Sequence, residues 1–225
     1  MPNHITNQLT ILTDSPIKLK EIRNAIAGDE DSPYIDFEKI IPMPKCLHVT
    51  SGNMESHAKE LIEKLKKDKS LEALYEADED KFYESITNTI KKPAFLDEGE
   101  DFGQGLKVHM DAYKETGYTS WYNWCCNNWG TKWNAYSQYS ENADYISFET
   151  AYSTPLPVMI ALSKKFPDVL FTVEFADEDI GSNCGRYSIK KGQLKEEWMP
   201  QDDEAVRFAC DVRGYDYNEY RQDQE

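Results

Sequence analysis

Residues 121–137 read WYNWCCNNWGTKWNAYS, a crowding of indoles and amides able to grip a planar or polar group. Four of the five tryptophans, Trp121, Trp124, Trp129 and Trp133, stand here with Cys125, Cys126 and the amides of Asn123, Asn127, Asn128 and Asn134. Stacking on an indole can hold a nucleobase with roughly 1–3 kcal/mol. Asn128, Trp129, Lys132, Trp133 and Asn134 are therefore the candidate binding residues. Gly130 would interrupt a helix, so the segment after it reads as extended chain entered through a turn. Alternation then puts Trp129, Thr131 and Trp133 on one face and Lys132 and Asn134 on the other. Two uses follow. The tryptophans could seal a joint, Trp129 and Trp133 both buried, with the indole N–H finding a partner. Lys132 and Asn134 could form a polar rim, pointing outward or into a cleft.

The remaining reactive residues give weaker signals. In WYNWCC, Trp121, Trp124 and Cys125 share a helical face, and a buried thiol is commonly a small hydrophobe. Nucleophilic use of Cys125 or Cys126 would need an activating base, and no histidine lies nearby in sequence. The five cysteines form no CxxC pair, and His4, His48, His57 and His109 show no HxH or HxxxH spacing. No metal, cofactor or catalytic residue is assigned on that basis. GSNCGRYS is not a glycine loop opening a helix, so it implies no phosphate cradle. Arg186 there either pairs with an acidic neighbour or holds an anion.

The formal net charge is −16. Nonspecific nucleic-acid binding needs lysine and arginine against phosphate, so this balance disfavours it. An acidic excess suits solubility or a basic protein partner. The acidic runs lead to the expectation of one strongly negative face that includes part of 202–204 or 76–80. No apolar run reaches the length of a membrane span. The start MPNHITNQLTILTD has neither a basic nor an apolar signal-peptide region, so the cytoplasm is the expected compartment.

The elements that must position these residues follow from periodicity. His4 to Leu12 alternates as a strand, with Asn7 the polar exception. Ser15 and Pro16 open a helix that Gly28 stops. Residues 34–41 read as a second strand. From Glu55 to about Lys92 the pattern is helical, with apolar stripes at Leu61 and Leu65 and at Phe82, Ile86 and Ile90. The polar break KKPAFLDEGEDFGQG follows, and then a helix through Leu106, Met110 and Tyr113. These stripes are expected to need the sheet or the tryptophan stretch to cover them. Strand signals return at 145–152 and 169–176, separated by a helix through Met159, Leu162 and Phe166. A hairpin turns at Lys191-Gly192.

This order predicts an α+β fold: a ferredoxin-like, split-βαβ antiparallel sheet with helices on one face, a mainly helical insertion and a C-terminal hairpin. The expected division is a discontinuous core of 1–41 and 143–200, an insertion of 42–142, and an acidic tail of 201–225 with a short helix.

The segments MPNHITNQLTI, FEKIIPMP, NWGTKWNAY, ISFETAYSTPLPVMIALSKKFPD and CGRYSIKKG together resemble the YubB-like, phage Api-type family of plasmid and phage proteins. The resemblance covers most of the chain and is weakest over Glu55 to Lys92 and in the tail. It implies a ferredoxin-like domain and a mobile-element origin, and no reaction. By analogy with other accessory proteins of such elements, the expected function is non-enzymatic: a counter-defence or host-takeover inhibitor that binds a host or defence-system protein through an acidic surface, in the bacterial host cytoplasm. The alternative is a protein that sequesters a nucleotide signal in an aromatic pocket.

Overall fold

The computed structural model describes residues 2–89 and 101–222. Among these residues six strands form one antiparallel sheet: β1 (His4–Leu12), β2 (Tyr136–Tyr139), β3 (Tyr145–Ala151), β4 (Leu170–Asp177), β5 (Gly185–Lys190) and β6 (Gln193–Trp198), in the order β2-β3-β1-β4-β5-β6. The helices are α1 (Pro16–Ile26), α2 (Asn53–Lys67), α3 (Lys69–Ala77), α4 (Glu79–Thr89), α5 (Phe102–Thr116), α6 (Trp121–Asn128), α7 (Leu156–Lys165), α8 (Asp202–Arg213) and α9 (Tyr217–Gln222). The chain divides into two compact units, Met1–Pro42 with Cys125–Glu225, and Met43–Trp124. Residues 125–142, expected with the helical insertion, thus fall with the sheet, because they build its edge strand β2.

β1 is the central strand and pairs antiparallel with both β3 and β4. β3 and β4 are therefore parallel to each other with β1 between them, and α7 makes the crossover: one split βαβ unit. Ile5, Leu9 and Ile11 of β1, Ile146 and Phe148 of β3, and Phe171, Val173 and Phe175 of β4 are buried, as the period of two requires. Buried Ile22 and Ile26 of α1 and Val158, Met159 and Leu162 of α7 supply the helical part of this unit's apolar core.

The first half departs from the expected pattern. Residues 34–41 form no strand; a 3₁₀ turn, Phe37–Lys39, takes their place. Side chains, in place of a ladder, satisfy four of their backbone donors, while Asp36, Lys39, Ile40 and Ile41 N donate to backbone carbonyls. Gln138 Oε1 accepts from Tyr34 N at 3.0 Å and Ile35 N at 2.9 Å, Asn134 Oδ1 from Phe37 N at 2.9 Å, and Asp36 Oδ1 from Glu38 N at 2.9 Å. The position beside β3 is held by the short strand β2, which arrives a hundred residues later.

The sheet also carries a helix on its second face. Thr6 and Gln8 alternate with the buried residues of β1, and α8 lies against them. Gln8 Nε2 donates to Val212 O at 2.8 Å, and Arg213 Nη1 donates to Thr6 Oγ1 at 3.1 Å. Ala176, Cys184, Ala205, Ala209 and Val212 make a second small core there.

The unit Met43–Trp124 has its own core. Leu61, Ile62 and Leu65 of α2, Phe82 and Tyr83 of α4, and Phe102, Leu106 and Met110 of α5 form one buried cluster. The apolar stripes that were expected to need outside cover face one another. Ile86 packs against this cluster; Ile90 and the polar break at 91–100 lie outside the described residues.

Candidate functional site

The tryptophan stretch divides at Gly130. Upstream it is helical: α6 runs to Asn128, and the turn closes with Trp129 N donating to Cys125 O at 2.8 Å. Trp129 is buried at 4% exposure, its Nε1 donates to Ile41 O at 2.9 Å, and its ring meets Phe37 edge-on at 5.8 Å. Gly130 has φ of +78°, and a Cβ there would lie 2.7 Å from Pro157 Cδ, so glycine is required both for the turn and for the close approach.

Downstream the chain is irregular, not a strand, until Tyr136. Thr131 is buried and locks onto β3: its Oγ1 donates to Ala151 O at 2.7 Å and accepts from Ala151 N at 3.0 Å. Without a strand's strict alternation, Trp133 turns away from the face of Trp129 and Thr131. It is 38% exposed, where burial was expected. Lys132 Nζ lies 4.6 Å from the centre of the Trp133 ring and 5.9 Å from that of Tyr152. On the other side, Trp133 meets Tyr136 edge-on at 6.2 Å, and Tyr136 meets His4 at 5.8 Å. The result is a corner where Tyr152, Lys132, Trp133, Tyr136 and His4 follow one another.

Polar contacts hold the corner in place. Asn134 is one of them rather than a free rim. Its Oδ1 accepts from Phe37 N and Ala135 N, each at 2.9 Å, and its Nδ2 donates to Asp36 Oδ1 at 2.8 Å. Tyr136 OH pairs with His4 Nδ1 at 2.8 Å and donates to Thr150 O at 3.2 Å; burial of the ring beside Glu149 pushes its pKa up to about 12. Asn7, the polar exception in β1, is fully buried. Its Nδ2 donates to Ile5 O at 3.0 Å and Thr150 Oγ1 at 2.8 Å, and Thr150 Oγ1 donates to Ser153 O at 2.8 Å. Ser153 Oγ in turn donates to Gly130 O. A relay thus runs from the central strand to the turn that presents Lys132 and Trp133.

Tyr152 is 44% exposed and has φ of +77°, a conformation a bulky aromatic adopts only at a cost of about 1–3 kcal/mol. Its N–H donates to Asn3 O at 3.0 Å, and its carbonyl accepts from Asn183 Nδ2 at 3.4 Å. Asn3 and Asn183 are both tied to the buried carboxylate of Asp177, at 3.0 and 3.1 Å. Strain of this kind persists only where the surroundings over-determine it.

Beside the corner, Asp31, Ser32, Trp133, Asn134, Ala135 and Tyr136 line an open groove of about 500 Å³. Asp31 belongs to a turn with Asp29 and Glu30, all three exposed, in which Asp29 Oδ1 accepts from Asp31 N at 3.1 Å. No basic residue lines this groove.

Of the expected site residues, Lys132, Trp133 and Asn134 come together here. Trp129 lies beneath the turn as core, and Asn128 ends α6. Arg186 lies elsewhere, on β5, with β3, β1 and β4 between it and β2. There it reaches Glu174 Oε1 at 3.4 Å and stacks 5.5 Å from the Trp198 ring. Tyr152, Tyr136, Asp31 and Asn7 were not assigned from sequence; only Asn7 left a signal, as the one break in its strand's alternation. Among the thiols, burial pushes Cys125 up to about 12 and also raises Cys126, so neither is poised as a thiolate.

Comparison with known proteins bears on the fold. No match is found among the curated proteins. A solved structure, that of a protein api92 from Yersinia pseudotuberculosis, aligns over 90% of this chain and 99% of its own at a TM-score of 0.43 and 12% identity, too slight a likeness to carry an argument. A family model described as the ferredoxin-like domain in Api92-like protein matches residues 129–222, from the buried Trp129 to the end of α9. Residues 129–222 are thus similar to the ferredoxin-like domain in Api92-like protein, in agreement with the fold described above.

Proposed function

We propose that the protein is a non-enzymatic binding module whose aromatic corner receives a basic side chain of a partner protein. The observation that carries this reading is the groove in which Trp133 and Tyr136 stand beside Asp31, with Asp29 and Glu30 in the same turn. A guanidinium seated there would meet an aromatic face, worth about 0.5–1 kcal/mol when exposed and more when desolvated, together with a carboxylate. The over-determined backbone around Tyr152 and Gly130 supports recognition, since a preformed surface loses little entropy on binding. The raised thiol pKa values of Cys125 and Cys126 speak against cysteine chemistry in the same stretch. The resemblance to plasmid and phage proteins makes a host or defence-system protein of the bacterial cytoplasm the first partner to seek, with an inhibitory, counter-defence outcome.

The test is capture from bacterial lysate with the wild-type chain and with Trp133→Ala and Asp31→Lys. A protein retained by the wild type and lost from both variants, at unchanged melting temperature, is the expected result. Equal retention by all three would refute the reading. A second reading, nucleotide sequestration, is favoured by one observation: Lys132 stands between two exposed rings, a cation next to a stacking surface. A nucleotide panel in a thermal-shift assay separates the two, because a sequestered ligand raises the melting temperature and Lys132→Ala abolishes the rise.

A further inference from the structure

Within the unit Met43–Trp124, α2, α3, α5 and the first residue of α4 line an open cavity of about 370 Å³. Its lining is apolar at Ile62, Leu65 and Met110, and Tyr75 and Tyr113 stand beside them. A volume of this order suits occupation by apolar groups. Most charges at its edge are already matched: Lys114 lies 2.8 Å from Glu79, Lys66 2.8 Å from Glu63, and Glu72 2.5 Å from Lys69. Glu76 also lines the cavity, and among the described residues it has no ion-pair partner. Asp80 and Glu84 follow at intervals of four along the chain and border a second depression with Tyr83, Asp101 and Lys107; among the described residues they too make no ion pair. An apolar cavity thus has, at its edge and on the helix that follows, carboxylates outside any ion pair, each still within electrostatic reach of one lysine: Glu76 of Lys69, Asp80 of Lys107 and Glu84 of Lys81.

We propose that this cavity is the docking site for a basic amphipathic helix of a partner protein. One or two large apolar side chains enter between Tyr75 and Tyr113, and lysines or arginines on the flanking turns lie along Glu76, Asp80 and Glu84. This is helix-in-groove recognition, in which the apolar stripe supplies affinity and the charges set orientation and on-rate. The charge pattern selects the occupant: an acidic helix would meet three carboxylates that, among the described residues, make no ion pair. The site is independent of the aromatic corner.

The test uses the full chain and a synthetic peptide of about four helical turns, with leucines at i, i+3, i+4 and i+7 and lysines elsewhere. Its controls are a scrambled peptide of the same composition and a version with glutamate in place of lysine. The patterned peptide is expected to bind at least tenfold more tightly than the scrambled one, a difference of about 1.4 kcal/mol. Its binding should shift the backbone amide resonances of α2, α3, α4 and α5. Glu76→Lys with Asp80→Lys, both at exposed positions, should weaken binding by roughly tenfold and flatten its salt dependence. Tyr113→Ala should weaken it independently of salt; should that variant melt early, the double lysine variant decides. Trp133→Ala should leave this binding unchanged. Equal affinity for patterned and scrambled peptides, or amide shifts outside these four helices, would overturn the proposal.

Discussion

Asn134 shows how one amide can decide the character of a site. Its oxygen serves two backbone donors and its nitrogen the Asp36 carboxylate, so it joins the turn before β2 to the 3₁₀ turn at Phe37. Removing it leaves the Phe37 N–H without that acceptor beside a buried ring. Asn134→Ala should therefore cost about 1–3 kcal/mol, read as a lower midpoint in urea. Lys132, its neighbour but one, rests on the Trp133 and Tyr152 rings, and Lys132→Ala should stay within about 0.5 kcal/mol of the wild type. The tryptophans separate in the same way. Trp129→Ala removes a buried ring and a hydrogen bond to Ile41 O and should cost roughly 3–5 kcal/mol. Trp133→Ala, at an exposed position, should cost much less and act on binding instead. Equal losses from both variants would show that the turn does not separate core from surface as described.

At the scale of elements, Gly130 is the hinge of that separation. Gly130→Ala would adopt a left-handed backbone and push its Cβ into Pro157, so a loss of about 1–3 kcal/mol is expected, and Trp133 fluorescence should change with it. β4 and α7 were legible because their apolar periods are unbroken, at Val173 and Phe175 and at Met159 and Leu162, and the hairpin because Lys191-Gly192, both at positive φ, marks its turn. The strand expected at 34–41 was not, because its hydrogen bonds are supplied by Asn134 and Gln138, a hundred residues away, and no local pattern reports that. Trp133 was misplaced for a related reason. A period-two argument holds only where a ladder enforces the pleat, and residues 131–135 belong to none. Exposed Tyr152 and half-buried Tyr136 reach the corner through backbone strain and strand register, which composition does not encode. The covering of the helical stripes was missed because Leu61, Phe82 and Met110 find one another across three helices.

At the scale of the molecule, the unit Met43–Trp124 carries both its own apolar core and a buried charge that ties its stability to pH. Glu55 is 2% exposed. Burial by itself would raise its pKa, but the contacts outweigh it. Lys59 Nζ lies 2.8 Å away, Ser51 Oγ donates at 2.5 Å and Thr119 Oγ1 at 2.7 Å. Together they draw the carboxyl from 4.5 down to about 2. A group whose folded value is depressed stabilises the fold above its unfolded pKa and loses that contribution as pH falls through the folded one. The contribution, roughly 3 kcal/mol, should thus be complete above about pH 5 and gone near pH 2. Glu79, held down by Lys107 and Lys114, adds in the same window and the same direction, discounted for its exposure to solvent. Glu55→Gln keeps the shape but removes the charge. It should lower stability at pH 7 and flatten the acid limb of the stability curve. Denaturant midpoints from pH 7 to pH 2 for the two proteins check this, and parallel curves for the wild type and Glu55→Gln would show that the carboxyl is not held as the geometry requires.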